Sequence, residues 1–161
     1  MKHAVCLPVL ACALMGATLP VAIPASTGAA SAALAGSAPT SILIEIAGLR
    51  SNHGQIMACM TANPKAFPDC QKDPQALHLT APAINGETVQ FKSVQPGRYA
   101  IALFHDENAN GRMDKMMIMP REGFGFSRDA PLQFGPPKFG AASFAVGHAQ
   151  VRTSIKVRYI L

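Results

Sequence analysis

Downstream of residue 40 the chain alternates apolar and polar residues with a period of two, the spacing of a strand with one face buried. Ser41 to Leu49 carries Ile42, Ile44 and Ile46 at every second position and ends in the turn residues Ser51-Asn52-His53-Gly54. Gln55 to Thr61 repeats the pattern, so these two segments are expected to pair as a hairpin. Leu77 to Thr80 is a short edge-strand candidate, and Glu87 to Val94 sets Val89 and Phe91 against Thr88, Gln90 and Lys92. Gln95-Pro96-Gly97 is a turn, followed by the run Arg98 to Phe104. Val151 to Leu161 alternates again and is expected to be a central or closing strand. No helical period is sustained, so the expectation is an all-β fold, an antiparallel β-sandwich of about seven strands. One long segment, Lys115 to Gly140, is rich in Gly, Pro and Phe and shows no period. Its Phe124, Phe126, Phe134 and Phe139 are residues that disordered chains lack, so an ordered loop is expected there, either packed or offering an apolar binding face.

The first residues change the picture of where the chain works. Lys2 and His3 precede the apolar run Ala4 to Met15, a small-residue region follows, and Ala33-Leu34-Ala35 is a small-x-small cleavage site. The expected organisation is a signal peptide over 1–35 and a single domain over 36–161, which makes the protein periplasmic or secreted. Pro8, Pro20 and Pro24 interrupt the apolar runs and argue against a membrane-spanning helix; acylation at Cys12 is the competing lipoprotein reading. Export leaves Cys59 and Cys70 to meet an oxidising compartment, and a disulfide between them is expected, with two separate buried thiols as the alternative. Their spacing is not CxxC, so redox catalysis is not indicated. Without Lys2 the balance is 13 basic against 9 acidic residues, scattered rather than clustered, so nothing points to nucleic acid.

The candidate chemistry lies where the Arg98 to Phe104 strand runs out. In His105-Asp106-Glu107-Asn108-Ala109-Asn110-Gly111-Arg112-Met113-Asp114, oxygen-bearing side chains occupy alternate positions up to a glycine and resume at Asp114. A loop wrapped around a hard cation turns every second side chain inward, and Ca²⁺ takes about six to eight oxygens. Asp106, Asn108, Asn110, the Arg112 carbonyl and Asp114 form a candidate Ca²⁺ ligand set. The place of a bidentate glutamate is taken by Met117, too soft a ligand for Ca²⁺. Glu122 is the candidate for the missing position, ahead of Asp129 and Glu107. Fewer carboxylates than a sensor site carries imply a Kd of roughly 10⁻⁴ to 10⁻³ M. The competing reading is a plain turn, because Asp, Asn and Gly dominate turns. His105 adjoins Asp106 but faces the opposite side of a strand, and His53, His78 and His148 have no metal-ligand spacing. Ser127 is not in a GxSxG elbow. Glu122 with Asp106 or Asp114 could form a hydrolytic carboxylate pair, yet the chain has no Trp to stack a sugar.

Pro96-Gly97-Arg98-Tyr99-Ala100, His105 to Asn108, Asn110-Gly111, Asp114, Pro120 to Ser127 and Gly135 to Phe139 together resemble the exported bacterial family called domain of unknown function 2141. The resemblance covers the region after the leader, and Ala109 stands where it implies Gly. It implies export and a sandwich, without an established activity; a weaker likeness joins the Pro-Gly-x-Tyr strand ending to transthyretin-like, Ig-like and carboxypeptidase-regulatory-like sandwiches. The functional expectation is a non-enzymatic, exported binding or accessory module for a protein, glycan or envelope partner. A small carboxylate-dependent hydrolase and a metal-free structural envelope domain stand as alternatives.

Overall fold

The computed structural model describes residues 39–161 apart from Ile118 and Gln133, so the expected leader and Cys12 lie outside the described residues. Ten strands follow in chain order: β1 Thr40–Ala47, β2 Gln55–Thr61, β3 Leu77–Pro82, β4 Thr88–Val94, β5 Gly97–Asp106, β6 Lys115–Met116, β7 Met119–Pro120, β8 Gly123–Phe126, β9 Phe144–Val146 and β10 Val151–Lys156. One short helix, α1, spans Phe139–Ala142. No helix among the described residues is long and apolar enough to cross a membrane.

Two sheets pack together. One has the order β10-β1-β4 and the other β3-β2-β5-β8, with β9 pairing the first residues of β5. Their inner faces supply Ile42, Ile44 and Ile46 from β1, Ile56, Ala58 and Met60 from β2, Ile101 and Leu103 from β5, with Val89, Phe91, Ile155 and Val157. Alternation thus predicts the buried face of every long strand, and the all-β sandwich is as expected. Alternation in β4 breaks after Phe91, because Ser93 takes a left-handed backbone (φ 56°) and Val94 rather than Ser93 turns inward. The register with β1 slips at the same place.

Two expectations fail on pairing. β1 and β2 do not form a hairpin; they lie in opposite sheets, and Gly48 to Gly54 carries the chain across. β10 takes the closing rather than the central place, at the edge of its sheet, but it runs parallel to β1 instead of antiparallel, with Ile42 beside Val151 and Ala47 beside Lys156. The cause is common to both. A period of two fixes which face a strand buries and leaves its neighbour open.

The larger sheet is covered on both faces near β5 and β8. Phe67, Ala100, Phe124, Phe126, Ala130 and Ala142 form a second buried cluster, with Phe104, Met113 and Phe139 packed against it. Phe67 meets Phe126 and Phe139 edge-on at 5.8 and 6.2 Å. Cys59 of β2 and Cys70 are joined as a disulfide with Cα atoms 6.1 Å apart, which ties the Phe67 segment to the sheet. The segment expected as one long loop therefore contains β8, whose residues are all buried. Only Phe134 of its four phenylalanines stands fully in solvent.

The glycines of β8 explain how it reaches this place. Phe124 and Phe126 point to the second cluster, while Gly123 and Gly125 face β10 and the tail behind it. A Cβ on Gly125 would come within 2.7 Å of Ile155 Cγ2 and 2.9 Å of the Lys156 carbonyl oxygen. That closeness lets Phe124 exchange two 2.9 Å backbone hydrogen bonds with Arg158, linking the two sheets at one corner. Gly125→Ala is expected to lower the unfolding free energy by about 1–3 kcal/mol, as overpacking does, in urea titration followed by far-UV circular dichroism. An unchanged midpoint would show that the strands do not approach this closely.

Candidate functional site

The site grows out of the end of β5. Ala100, Ala102, Phe104 and Asp106 share the outer face, so the strand drives the Asp106 carboxylate under the loop that follows it, where it is fully buried. A buried carboxylate must collect hydrogen bonds. Asp106 Oδ1 accepts from the Asn110 N–H at 3.0 Å, and Oδ2 accepts from the Gly111 N–H at 2.7 Å and from Gln55 Nε2 at 2.8 Å. Gln55 stands directly opposite Asp106 in the β2–β5 register. Gly54, before it, has φ +74°, and any Cβ there would overlap the Asp106 carbonyl oxygen.

The loop itself is a chain of side-chain-to-backbone turns of the kind Asn and Asp favour. Asn108 Oδ1 accepts from the Asn110 N–H at 3.1 Å, and Asn110 Oδ1 from the Arg112 N–H at 2.8 Å. The two amide nitrogens, Asn108 Nδ2 and Asn110 Nδ2, donate to Asp114 Oδ2 and Oδ1 at 2.8 and 3.1 Å. Gly111 has φ +77° as the sharp turn demands, and Ala109 has φ +54°. A Cβ in that region costs roughly 1–2 kcal/mol, so Ala109 bears a backbone cost at a position that contributes no side-chain oxygen.

Glu122 closes the loop from behind. The chain leaves Asp114, makes the β6–β7 hairpin and returns with the Arg121 N–H donating to the Asp114 carbonyl at 2.9 Å. The buried Glu122 carboxylate then accepts from the Glu107 N–H at 3.2 Å and from the Asp114 N–H at 2.9 Å. Asp106, Asn108, Asn110, Asp114 and Glu122 are thus brought together, and Arg112 joins through its backbone. The two other candidates are elsewhere. Glu107 turns to Arg50, and Asp129 accepts from the Lys156 N–H at 3.0 Å near the Arg158 side chain. Met117 is almost fully exposed. Among the described residues no three His, Cys, Asp or Glu side chains stand grouped as a ready metal site.

Sequence alone did not reveal the cluster on the other flank of the loop. Arg50 pairs with Glu107, donates through Nη1 to the Leu161 carbonyl at 2.8 Å, and lies 4.4 Å over the Tyr159 ring. Ser51 Oγ donates to Glu107 Oε1 at 3.0 Å. His105, facing the inner side as alternation requires, is held between the Tyr159 hydroxyl and the His53 carbonyl, both at 2.7 Å. The carbonyl can only accept, so Nε2 donates to it and Nδ1 accepts from Tyr159. These contacts join residues more than fifty positions apart, for which no local spacing gives a clue. His53, His78 and His148 remain exposed and separate. Ser127 is buried, accepting from the Ile101 N–H at 2.9 Å and donating to the Ala142 carbonyl at 2.7 Å.

The two glutamates that flank the loop titrate in opposite directions. The Arg50 guanidinium, with Ser51, holds Glu107 below its ordinary 4.5. Burial pushes Glu122 above the same value, helped by the charges of Asp106 and Asp114, while the Asp114 and Glu107 N–H groups work against the rise. A raised folded-state value means the folded protein holds that proton more tightly than the unfolded chain. The Glu122 contribution to stability is therefore full below its ordinary 4.5 and falls away as pH rises through the folded value. The Glu107 contribution runs the other way, present above 4.5 and lost on acidification. Urea unfolding of Glu122→Gln over a pH series, with chelator present, is expected to lose the decline that the parent shows on the alkaline side of that window. An equally steep decline in the variant would assign it to another group.

Compared with known proteins, the chain matches no curated protein and no solved structure. It does match a family profile over residues 44–154, a span that runs from β1 to β10 and takes in Asp106, Asp114 and Glu122. On that match the chain belongs to the family described as "Uncharacterized protein conserved in bacteria (DUF2141)".

Proposed function

We propose that the protein is an exported, non-enzymatic β-sandwich module, periplasmic or secreted, whose Asp106–Asp114 loop takes a Ca²⁺ ion. So ordered, the loop presents the adjoining surface to a protein, glycan or envelope partner. One observation carries the reading: Asp106, Asp114 and Glu122 are all tied to the same loop by hydrogen bonds from neutral N–H groups, and no Lys or Arg side chain among the described residues forms an ion pair with any of them. Burial raises Glu122 above its ordinary value, and the like charges of Asp106 and Asp114 add to the rise.

The donor chemistry suits a hard cation. Asp106, Asn108, Asn110, Asp114, Glu122 and the Arg112 carbonyl offer oxygen only, as Ca²⁺ prefers. The Asn108 and Asn110 side-chain oxygens each accept one backbone N–H, leaving a second lone pair on each. Bound Ca²⁺ would supply two positive charges to a loop whose Asp106, Asp114 and adjoining Glu122 have no ion-pair partner among the described residues. The non-enzymatic part rests on Glu122, which is buried and committed to two backbone N–H groups rather than turned toward a cleft. The signal-like sequence pattern of residues 1–35 and the Cys59–Cys70 disulfide support export.

A metal-free structural turn is the second reading, and a specific observation favours it: the carboxylates of Asp106, Asp114 and Glu122 are already satisfied by backbone or amide hydrogen bonds. Thermal melting separates the two. At a Kd of roughly 10⁻⁴ to 10⁻³ M, about 10 mM Ca²⁺ stabilises by roughly 1.4–2.7 kcal/mol, a rise of several degrees over the chelated protein. Asp114→Ala is expected to abolish the rise while the protein still folds. No shift at millimolar Ca²⁺, or the same shift in Asp114→Ala, leaves the turn reading in possession.

A further inference from the structure

We propose a second metal site of opposite character: the β6–β7 tip binds the soft monovalent cation Cu(I) through the thioethers of Met116, Met117 and Met119. Four of the chain's eight methionines fall between positions 113 and 119. Met113 has a packing role against the second cluster. The other three do not, being 52, 94 and 42% exposed for Met116, Met117 and Met119. Exposed apolar side chains normally occur singly, and strands of two residues have no core to fill.

Geometry brings the sulfurs toward one another. Met116 and Met119 are register partners across β6–β7, so their side chains leave the same face with Cβ atoms roughly 4.5–5.5 Å apart. Each thioether sits on an unbranched side chain with three rotatable bonds, ample reach for a common point. Lys115, the neighbour of Met116 along β6, projects to the opposite face and keeps its charge off the pair. Met117 occupies the turn with φ +58°, at the roughly 1–2 kcal/mol cost of a left-handed residue that bears a Cβ. Glycine or asparagine would fill that place without the cost. What methionine adds there is a third sulfur.

Chemistry then selects the ion. Thioethers are soft and uncharged, and among biological cations they favour Cu(I) over Ca²⁺, Mg²⁺ or Zn²⁺. The site is independent of the Ca²⁺ reading, because it uses no oxygen ligand and lies beyond Asp114 in the hairpin.

The test uses Ag(I), which shares the preference for soft sulfur and needs no reductant, so the Cys59–Cys70 disulfide stays intact. The full chain carrying ¹³C-methyl methionine is titrated with silver nitrate in chloride-free buffer and followed by NMR. Methyl signals of Met116, Met117 and Met119 are expected to shift together and saturate near about one equivalent, while buried Met60 stays still. The variant M116L/M117L/M119L keeps apolar bulk and is expected to melt as the parent does. Its Ag(I) affinity, measured by calorimetric titration in the same buffer, is expected to fall by at least the roughly tenfold typical of disturbing a metal site. Shifts that never saturate, or an unchanged affinity in the triple variant, overturn the site; the second outcome would leave the tip as an apolar contact surface.

Discussion

A carboxylate buried at the end of a strand organises this molecule's functional end. β5 is the longest strand, and its alternation carries Ala100, Ala102 and Phe104 onto the second cluster before delivering Asp106 beneath the loop. An acidic group there must be surrounded by donors, since an unpaired buried charge costs several kcal/mol. Gln55 meets it from β2, and the loop bends back so that Asn110 and Gly111 meet it from above. The path of the loop is thus a consequence of satisfying one side chain.

Glu122 repeats the device from the far side of the hairpin. By accepting from the N–H groups of Glu107 and Asp114 it joins the first turn of the loop to its exit. Nearby, Arg50 draws Glu107 away from the cluster and spans toward the Arg121 and Leu161 carbonyls. Negative charge is therefore sorted at this end of the sandwich. Glu107 is neutralised by a guanidinium stacked on Tyr159, while Asp106, Asp114 and Glu122 are held by neutral N–H groups alone.

Much of this was legible in the residues, and the limits have physical causes. Strand faces followed from period two, and the side chains singled out by the loop's alternation, with Glu122 from the segment beyond it, are joined in one hydrogen-bonded loop. Pairing did not follow, because β1 buries the same three isoleucines whether β2 or β10 lies beside it. β8 was hidden because Gly123-Phe124-Gly125-Phe126 puts its large residues on one face and no side chain on the other, so it lacks the apolar-polar alternation of a half-buried strand. Ala109 supplies no side-chain oxygen, as the glycine that the resemblance implies there would not; its backbone angle, which sequence does not display, is where it differs from glycine. The Arg50–Glu107–Tyr159 assembly depends on the tail folding back, and no window of neighbouring residues contains it.

The parallel pairing of β1 with β10 sets the order in which the fold can be completed. Ile42 and Val151 are partners more than a hundred residues apart, so closing this pair carries one of the largest loop entropies in the chain. Contacts of such separation slow folding, and β1 has only β4 to pair with until β10 arrives. A chain emerging from a ribosome or passing through a membrane from its N-terminus would hold most of its hydrophobic strands before it could seal them. Its final compact state waits on the last strand in the sequence.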